Sequence, residues 1–237
     1  MRQVMTILVT GSSRGIGAAI HAAFEAAGAA VVGHATRPGD GRLAADLAQP
    51  GAVAALWQDA LDRHGAVDVL VNNAGVFEAN PIDANDAEWL ASWERTMRIN
   101  LTASAELCRL AVRHWQARGT GGRIVNVASR AAYRGDSPAH WHYAASKAGM
   151  VAMTKTIARA YAAQGIYAFA ICPGFTMTGM ADDYLASRGG DKMLVDIPLG
   201  RVASPEEVAE TVRWCALDAP PSMTGATLDV NGASYVR

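Results

Sequence analysis

The alternation of apolar runs with alanine-rich stretches is the feature that most restricts the fold of this chain. The runs rich in apolar and β-branched residues are VMTILV, AAVVGH, VDVLVN, GRIVNVAS, IYAFAIC and GATLDV, and stretches with helical spacing separate them. Strands that are apolar throughout are typical of parallel sheets covered on both faces. Strand–helix repetition along a whole chain therefore predicts an α/β fold, a doubly wound parallel sheet with helices on both faces.

One segment departs from this rhythm. Residues 175–199 carry a weak helical pattern that Gly189 and Gly190 interrupt and Pro198 closes. The segment follows a predicted strand that ends at CPG, so we expect it over the carboxyl edge of the sheet, where ligands bind in such folds. We interpret it as a substrate lid within a single domain, residues 1–237. A surface loop without a role is the alternative.

Composition excludes several classes of function. The chain has 237 residues with a formal net charge of -1, which gives no basic field for nucleic acid or for a membrane surface. No apolar run approaches the ~20 residues of a membrane-spanning helix. Cys108, Cys172 and Cys215 lie far apart and have no metal-ligand spacing. We expect three small core residues, no metal site and a cytoplasmic protein.

A glycine-rich loop follows the first predicted strand and opens the first predicted helix. It reads TGSSRGIG at residues 10–17. Gly11 permits a tight turn, Gly15 lets the backbone approach a phosphate, and Gly17 allows close helix packing. The N–H groups at the start of the following helix would face a pyrophosphate. In this context the loop predicts a dinucleotide site, and a purely structural turn is the weaker alternative.

The residues after the second predicted strand bear on which dinucleotide binds. Sites for NAD usually have an acidic residue about 20 positions beyond the glycines, which holds the ribose 2′-OH. Here the sequence reads GHATRPG, with Thr36 and Arg37 and no carboxylate before Asp40. Arg37 can pair with a 2′-phosphate, and Arg14 in the glycine loop can join it. The pattern favours NADP(H); the alternative is that Arg37 is a solvated turn residue.

The stretch AHWHYAASKAG, residues 139–149, contains two kinds of proton donor. Tyr143 and Lys147 are four apart, so on a helix they share one face. An ammonium beside a phenol lowers the phenol pKa from its usual value of about 10. His140 and His142 are rival proton donors, and the stretch alone does not decide between the two.

Several motifs occur in a fixed order along the chain. They are TGSSRGIG at 10–17, NNAG at 72–75, Asn100 in RINLTA, Ser129 in IVNVAS, Tyr143 with Lys147, and PGFTMT at 173–178. By this ordered set the chain resembles the short-chain dehydrogenase/reductase family over nearly its whole length. The resemblance implies an NAD(P)-binding Rossmann-type sheet of about seven strands, a nicotinamide cofactor, and a homotetramer or homodimer.

The resemblance also implies catalytic roles. Tyr143 would be the general acid/base, and Lys147 would lower its pKa and hydrogen-bond the nicotinamide ribose. Ser129 would orient the substrate carbonyl, and Asn100, at a kink in its helix, would hold a water that links Lys147 to solvent. The histidines are then not required for catalysis. His140 and His142 would flank the substrate pocket or a subunit contact, or His142 would be a surface residue.

Further positions match the family's cofactor contacts. Asn73, Ala74 and Gly75 would line the adenine ribose, and Asp46 and Leu47 the adenine base; a helix N-cap is the alternative for Asp46. The predicted cofactor-binding residues are Gly11, Ser13, Arg14, Gly15, Ile16, Gly17, Thr36, Arg37, Asp46, Leu47, Asn73, Ala74, Gly75, Tyr143, Lys147, Pro173, Gly174, Thr176 and Thr178.

Within the family, the sequence as a whole most resembles the 3-oxoacyl-carrier-protein reductases. This implies an NADP(H)-dependent reductase of a 3-oxoacyl or related keto group, free or as an acyl thioester. Thr120 and Gln164 stand where that subgroup commonly has basic residues, so docking of a carrier protein stays open. The alternatives are a general small-molecule carbonyl reductase or alcohol dehydrogenase, and a dinucleotide-binding sensor without turnover.

Overall fold

The structure, a computed structural model, describes residues 4–177 and 194–237. Within these ranges one sheet has the strand order β3-β2-β1-β4-β5-β6-β7, and each neighbouring pair is parallel. The strands are β1 (Thr6–Val9), β2 (Ala30–Ala35), β3 (Leu43–Ala44), β4 (Val69–Asn72), β5 (Gly122–Val127), β6 (Ile166–Pro173) and β7 (Thr227–Val230). This arrangement confirms the predicted doubly wound α/β fold.

Helices cover both faces of the sheet. They are α1 (Gly15–Ala26), α2 (Ala52–His64), α3 (Asp86–Met97), α4 (Ala103–Arg118), α5 (Ala131–Arg134), α6 (Trp141–Tyr161) and α7 (Pro205–Leu217). A π-helical segment, Arg98–Thr102, joins α3 to α4. None of the helices in the described ranges is both long and apolar enough to span a bilayer.

Two layers of core side chains explain why the strands read as continuous apolar runs. One layer joins alternate strand residues such as Leu8 and Leu70 to α2, α4 and α6. The other joins the intervening residues, such as Val9 and Val71, to α1 and α7. Because both faces of each central strand are buried, an apolar residue is favoured at every position.

The connection between β2 and β3 is unusually short. Parallel strands need a crossover of a dozen or more residues, usually a helix. Here the described residues 36–42 contain no helix, and a bridge between Gly39 and Arg42 closes a turn. The short connection suffices because β3 pairs through only two residues, Leu43 with His34 and Ala44 with Ala35. The sequence analysis missed this strand, which is too short to produce a pattern.

The topology brings the predicted site motifs to one edge of the sheet. The glycine loop follows β1, the NNAG motif follows β4, Ser129 follows β5, and Gly174 follows β6. The strand order reverses between β1 and β4, where doubly wound sheets form their ligand crevice. The candidate active site therefore lies at the carboxyl edge of the sheet.

Candidate active site

The glycine loop has a backbone that only glycine fits. Gly11 and Gly15 have positive φ angles of 65° and 53°, a region that disfavours other residues. A Cβ on Gly11 would lie 2.8 Å from the Ala74 Cα, and a Cβ on Gly17 would clash with the Gly11 carbonyl. The glycines therefore allow the loop to pack closely against Ala74 and against the start of α1.

The first turn of α1 leaves its backbone donors for a ligand. Its N-cap residue, Arg14, makes no side-chain capping bond, and the first turn has no acidic residue. By contrast, Ser204 and Glu207 form a capping box at the start of α7. Unpaired N–H groups at a helix N-terminus attract anions. The donor set of loop and helix fits the predicted pyrophosphate.

Asn73 joins the glycine loop to the end of β4. Its Nδ2 donates to the carbonyl oxygens of Thr10 and Gly11, each at 3.0 Å. In return the Thr10 Oγ1 accepts from the N–H groups of Asn73 and Ala74, both at 3.0 Å. The observed role of Asn73 is to hold the loop against the central strands, and its contact with a ribose stays a prediction.

The predicted adenosine contacts lie at one end of the crevice. Ser13, Arg14, Thr36 and Arg37 are exposed, whereas Leu47 is buried. The N-cap of α2 is Gly51, so the alternative that Asp46 caps this helix is wrong. Instead the Asp46 Oδ1 accepts from the Ala48 N–H at 3.0 Å and closes a turn before the helix.

Arg42 is a third arginine at this end, and the sequence analysis missed it. Its Nε donates to the Ser12 Oγ of the glycine loop at 3.2 Å, and its Nη1 pairs with Asp40 at 3.0 Å. It reaches the loop because no crossover helix covers this face. Arg42 lies close to the glycine loop because the connection between β2 and β3 is short, and no local sequence pattern predicts that short connection.

His34 is a second residue that the sequence analysis left without a role. It is 2% exposed, at the end of β2. Its Nδ1 accepts from the Gly11 N–H at 3.1 Å, and its Nε2 contacts the Ala45 carbonyl oxygen at 2.9 Å. The ring thus connects the glycine loop with the segment after β3.

Tyr143 and Lys147 lie on one face of α6, as their spacing predicted. The Lys147 Nζ is 5.8 Å from the centroid of the Tyr143 ring and donates to the Val127 carbonyl at 2.9 Å. Burial without a paired carboxylate lowers the Lys147 pKa to about 8. An ammonium that loses its proton near pH 8 remains mostly charged at neutral pH.

The pKa of Tyr143 moves against the expectation from sequence. Burial raises it to about 12, while a hydrogen bond with Ser129 opposes the rise. The Ser129 Oγ also accepts from the Ala131 N–H at 3.1 Å, which fixes its position at the start of α5. In the protein without ligand the Tyr143 phenol therefore stays protonated. It lies next to the Ser129 hydroxyl, so both groups can hydrogen-bond the same carbonyl oxygen of a substrate.

Asn100 lies in the π-helical segment, which interrupts the regular helical geometry at the position where the kink was predicted. Its Oδ1 accepts from the Val76 N–H at 2.8 Å, and its Nδ2 donates to the Val76 carbonyl and to the Ser146 Oγ. A Cβ on Gly75 would lie 3.2 Å from the Asn100 Oδ1 and 3.5 Å from the Lys147 Nζ. Gly75 thus keeps the space between these two side chains open.

The residues after β6 border the site on the side of the sheet edge that lies away from the glycine loop. A Cβ on Gly174 would lie 2.8 Å from the Asn231 Cβ, so this approach also requires glycine. Thr176 is buried, and its Oγ1 donates to the Gly174 carbonyl at 3.3 Å. Thr178 and most of the predicted lid, residues 178–193, lie outside the described residues.

Aromatic rings line the approach to Tyr143. Phe77 stacks on His140 with ring centroids 3.9 Å apart and meets the Tyr143 ring edge-on at 4.8 Å. His142 is 1% exposed, so the alternative of a surface residue is wrong. Neither of its ring nitrogens has a hydrogen-bond partner among the described residues.

Arg130 follows Ser129 and lies between the ends of β5 and β6. Its guanidinium carbon is 4.6 Å from the centroid of the Phe175 ring. Its Nη1 is buried and has no hydrogen-bond partner in the described part of the chain. Burial, together with neighbouring Arg134, lowers its pKa, while Asp136 and Asp196 act in the opposite direction. A buried guanidinium donor is thus left for an acceptor.

The three cysteines are structural, as the sequence analysis expected. Cys108, Cys172 and Cys215 are buried and free. Burial raises their pKa values to about 12, 11 and 12, so the thiolate forms are unfavourable.

These side chains can hold and transfer one proton. The Tyr143 phenol lies beside the Ser129 hydroxyl, the Lys147 ammonium is 5.8 Å from the centroid of the Tyr143 ring, and all three lie at the same edge of the sheet as the glycine loop. Such a constellation suits general acid–base chemistry on an oxygen atom beside a bound dinucleotide.

Comparison with known proteins agrees with this geometry. A family model described as enoyl-(acyl carrier protein) reductase matches residues 11–233. The chain is 36% identical to 3beta-hydroxysteroid dehydrogenase 1 of Eggerthella lenta, over 96% of this chain and 92% of that protein. It is 34% identical to the 3-oxoacyl-(acyl-carrier-protein) reductase of Vibrio cholerae, over 97% of this chain and 96% of the relative.

A solved structure is similar over the whole chain. It is a putative 2-deoxy-d-gluconate 3-dehydrogenase from Agrobacterium tumefaciens with bound NADP. The TM-score is 0.88 at 30% sequence identity, and the match covers 100% of this chain and 98% of the other. The fold is therefore shared with a solved dehydrogenase, and the sequence is similar to known dehydrogenases and reductases over nearly its whole length.

Proposed function

The chain belongs to the short-chain dehydrogenase/reductase family, and on that premise we propose that it reduces a 3-oxoacyl or related keto group. It is an NADP(H)-dependent oxidoreductase that interconverts a ketone and a secondary alcohol. The observation that carries the proposal is the meeting of Tyr143, Ser129 and Lys147 at the carboxyl edge of the sheet, beside the glycine loop.

In the proposed mechanism Tyr143 gives its proton to the substrate oxygen. Ser129 donates a hydrogen bond to the same oxygen and so fixes the distance between phenol and carbonyl. The Lys147 ammonium, held by the Val127 carbonyl, favours the phenolate that forms. Asn100 keeps the Val76 backbone in place, and the space beside Gly75 admits a water that returns a proton to Lys147.

The cofactor supplies and accepts the hydride. The glycine loop and the start of α1 would hold its pyrophosphate, and Thr176 with Gly174 would border its nicotinamide. Arg14 and Arg37 are exposed at the adenosine end, where they can reach a 2′-phosphate. NADP is also the ligand bound in the similar solved structure.

A second candidate substrate is a ketone that bears a carboxylate. The unpartnered Nη1 of Arg130, next to Ser129, favours it because a guanidinium matches a carboxylate. The name of the similar solved structure, a gluconate dehydrogenase, also denotes a carboxylate substrate. This candidate corresponds to the small-molecule carbonyl reductase, whereas a non-catalytic sensor would have no need of the four predicted catalytic residues.

Assembly and location remain predictions. The C-terminal stretch GATLDVNGASYVR resembles the last strand and tail of the family, which usually pack against a neighbouring subunit, and this resemblance supports a homodimer or homotetramer. Sedimentation at micromolar concentration tests this, and a monomer would contradict it. The reduced cysteines support a cytoplasmic location.

Initial rates with NADPH and with NADH test the proposed function. The substrate panel is an acetoacetyl thioester, a β-keto ester, a cyclic keto acid and its methyl ester. Turnover of the thioester with a preference for NADPH supports the first candidate, and selective turnover of the keto acid supports the second. Absence of turnover across the panel, with NADPH bound, would favour a sensor.

A further inference from the structure

His34 has a fully determined hydrogen-bonding state. The Gly11 N–H can only donate, so the His34 Nδ1, at 3.1 Å, must accept. The Ala45 carbonyl can only accept, so the His34 Nε2, at 2.9 Å, must donate. Together the two bonds require the neutral ring with its proton on Nε2.

A second proton on His34 is incompatible with this arrangement. It would occupy Nδ1 and point at the Gly11 N–H, which turns one hydrogen bond into a contact between two donors. Gly11 cannot relax freely, because its carbonyl oxygen accepts a hydrogen bond from the Asn73 Nδ2 at 3.0 Å. Protonation therefore acts directly on the first glycine of the predicted phosphate loop.

The surroundings of His34 do not stabilise a charged ring. It is 2% exposed, and burial lowers its pKa from the usual value of 6.5, with the Ala45 bond acting in the opposite direction. The charged and titratable groups on the elements around it are directed elsewhere: His21 to Glu25, Arg42 to Ser12 and Asp40, Asp46 to the Ala48 N–H, and Arg63 to the Gly41 carbonyl. Among the described residues none of these bonds the His34 ring.

We propose that His34 is a positioning residue that holds the glycine loop in its phosphate-binding conformation only while its ring is neutral, so that affinity for the dinucleotide falls in acid. The proposal rests on the proposed function, since it assumes that this loop binds the cofactor. It adds a residue that touches no ligand but acts through the Gly11 backbone.

The expected effect follows from proton linkage. If only the neutral form binds, affinity falls about tenfold for each pH unit below the His34 pKa of the free protein. The 2′-phosphate of NADP⁺ titrates in a similar range, near a pKa of about 6, and weakens binding in acid by itself. The experiment must therefore distinguish the loss of affinity caused by protonation of His34 from the loss caused by protonation of the 2′-phosphate.

The experiment is calorimetric titration of free NADP⁺ between pH 5 and 8 into three proteins: wild type, His34→Gln and His64→Gln. The amide that His34→Gln introduces can accept from Gly11 and donate to Ala45 but does not titrate. His64 is exposed at the end of α2 and serves as the matched control. As the pH falls toward 5, we expect the wild type and His64→Gln to lose more affinity than His34→Gln does, with a difference that approaches tenfold for each pH unit below the His34 pKa. Parallel curves for all three proteins would overturn the proposal.

A second measurement keeps the proposal testable if His34→Gln does not fold or if no protein binds NADP⁺. Nitrogen-15 NMR of the wild-type histidine rings, without ligand, reads the tautomer directly. We expect a neutral His34 with its proton on Nε2 at pH 7, and a shift of the Gly11 amide as the ring titrates. The proposal is overturned if the proton is on Nδ1 at pH 7. It is also overturned if the Gly11 amide chemical shift does not change as the His34 ring titrates. Absence of NADP⁺ binding with the expected tautomer refutes the proposed function instead.

Discussion

The Lys147 ammonium is 5.8 Å from the centroid of the Tyr143 ring, yet its hydrogen bond goes to the Val127 carbonyl. The two side chains share a helical face without a direct bond. In the proposed mechanism Lys147 would therefore act on the phenol through its charge, and the Val127 carbonyl at the end of β5 fixes where that charge lies. The rigid link from the sheet to α6 makes the distance between the two groups a property of the fold.

Replacement of Tyr143 by Phe should remove the transferred proton and leave the fold intact. We expect kcat to fall by about 10²–10⁴-fold, the usual contribution of a general acid. NADPH affinity, measured by fluorescence titration, should change little. Tyr161→Phe at the end of the same helix is the matched control, and we expect it to retain wild-type turnover. Undiminished turnover by Tyr143→Phe would exclude the assigned proton donor.

The alkaline limb of the pH profile should report Lys147. Reduction needs the ammonium, whose pKa burial lowers to about 8, and the neutral phenol, whose pKa is raised to about 12. We expect kcat/KM for ketone reduction to fall above about pH 8. A flat profile through this range and beyond would contradict the assignment.

The titration of Lys147 does not itself destabilise the fold in this range, because the contribution of this residue to stability moves in the other direction. The folded-state pKa of Lys147, about 8, lies below its ordinary value of 10.5, so between these two pH values the unfolded chain binds more protons. The contribution of this residue to the free energy of unfolding therefore rises with pH in that window. Denaturant titrations of the wild type and of Lys147→Met, at the two ends of the window, measure it.

Asn73→Asp should loosen the glycine loop while it preserves side-chain shape. The change replaces a donor with an acceptor that faces the carbonyls of Thr10 and Gly11. We expect a loss of about 1–3 kcal/mol in the free energy of unfolding and weaker NADP⁺ binding. Gln116→Glu, at an exposed amide pair with Gln164, is the control and should stay within about 0.5 kcal/mol. Equal effects from the two substitutions would rule out a special role for Asn73.

Arg14 and Arg37 should set the preference for NADPH. If both bind the 2′-phosphate, the double Ala variant loses charge-assisted bonds of about 1.5–3 kcal/mol each, and its KM for NADPH rises about a hundredfold or more. The KM for NADH should stay the same, because NADH has no phosphate there. Arg159→Ala on the exposed side of α6 is the control. An equal rise in both KM values would assign the arginines to general stability.

Arg130→Gln separates the two candidate substrates. If Arg130 binds a carboxylate, the variant loses about tenfold or more in kcat/KM for a cyclic keto acid and little for its methyl ester. Arg134→Gln is the control, because Arg134 already pairs with Asp196 at 3.3 Å. If the acid and the ester lose activity equally, Arg130 has a packing role against Phe175 rather than a recognition role.

The sequence alone predicted those parts of the molecule whose structure is determined by a local pattern of residues. Apolar runs predicted six of the strands, and the i, i+4 spacing placed Tyr143 and Lys147 on one helical face. The resemblance to a family predicted the kink at Asn100. The strand β3 escaped detection because a two-residue strand has no periodicity to detect.

Contacts between distant segments account for the remaining differences. The bond from Gly11 to His34 joins the glycine loop to the end of β2, and the sequence of neither segment indicates it. The raised pKa of Tyr143 depends on burial by the whole carboxyl edge, so the neighbouring lysine alone predicted the wrong direction. Likewise the burial of His142 follows from the packing of α6, which the local pattern does not specify.

The helix-free connection of residues 36–42 makes the adenosine end of the crevice separable from the rest of the protein. Arg37 and Asp40 are exposed there, at the margin of the sheet and far along it from the strand that carries Ser129. Residues 36–41 can be exchanged together with few core side chains disturbed, whereas Arg42 has to keep its bond to the Ser12 Oγ of the glycine loop. Coenzyme choice can then be altered by engineering or by natural drift without change to the proton-transfer machinery, and the two traits can evolve independently.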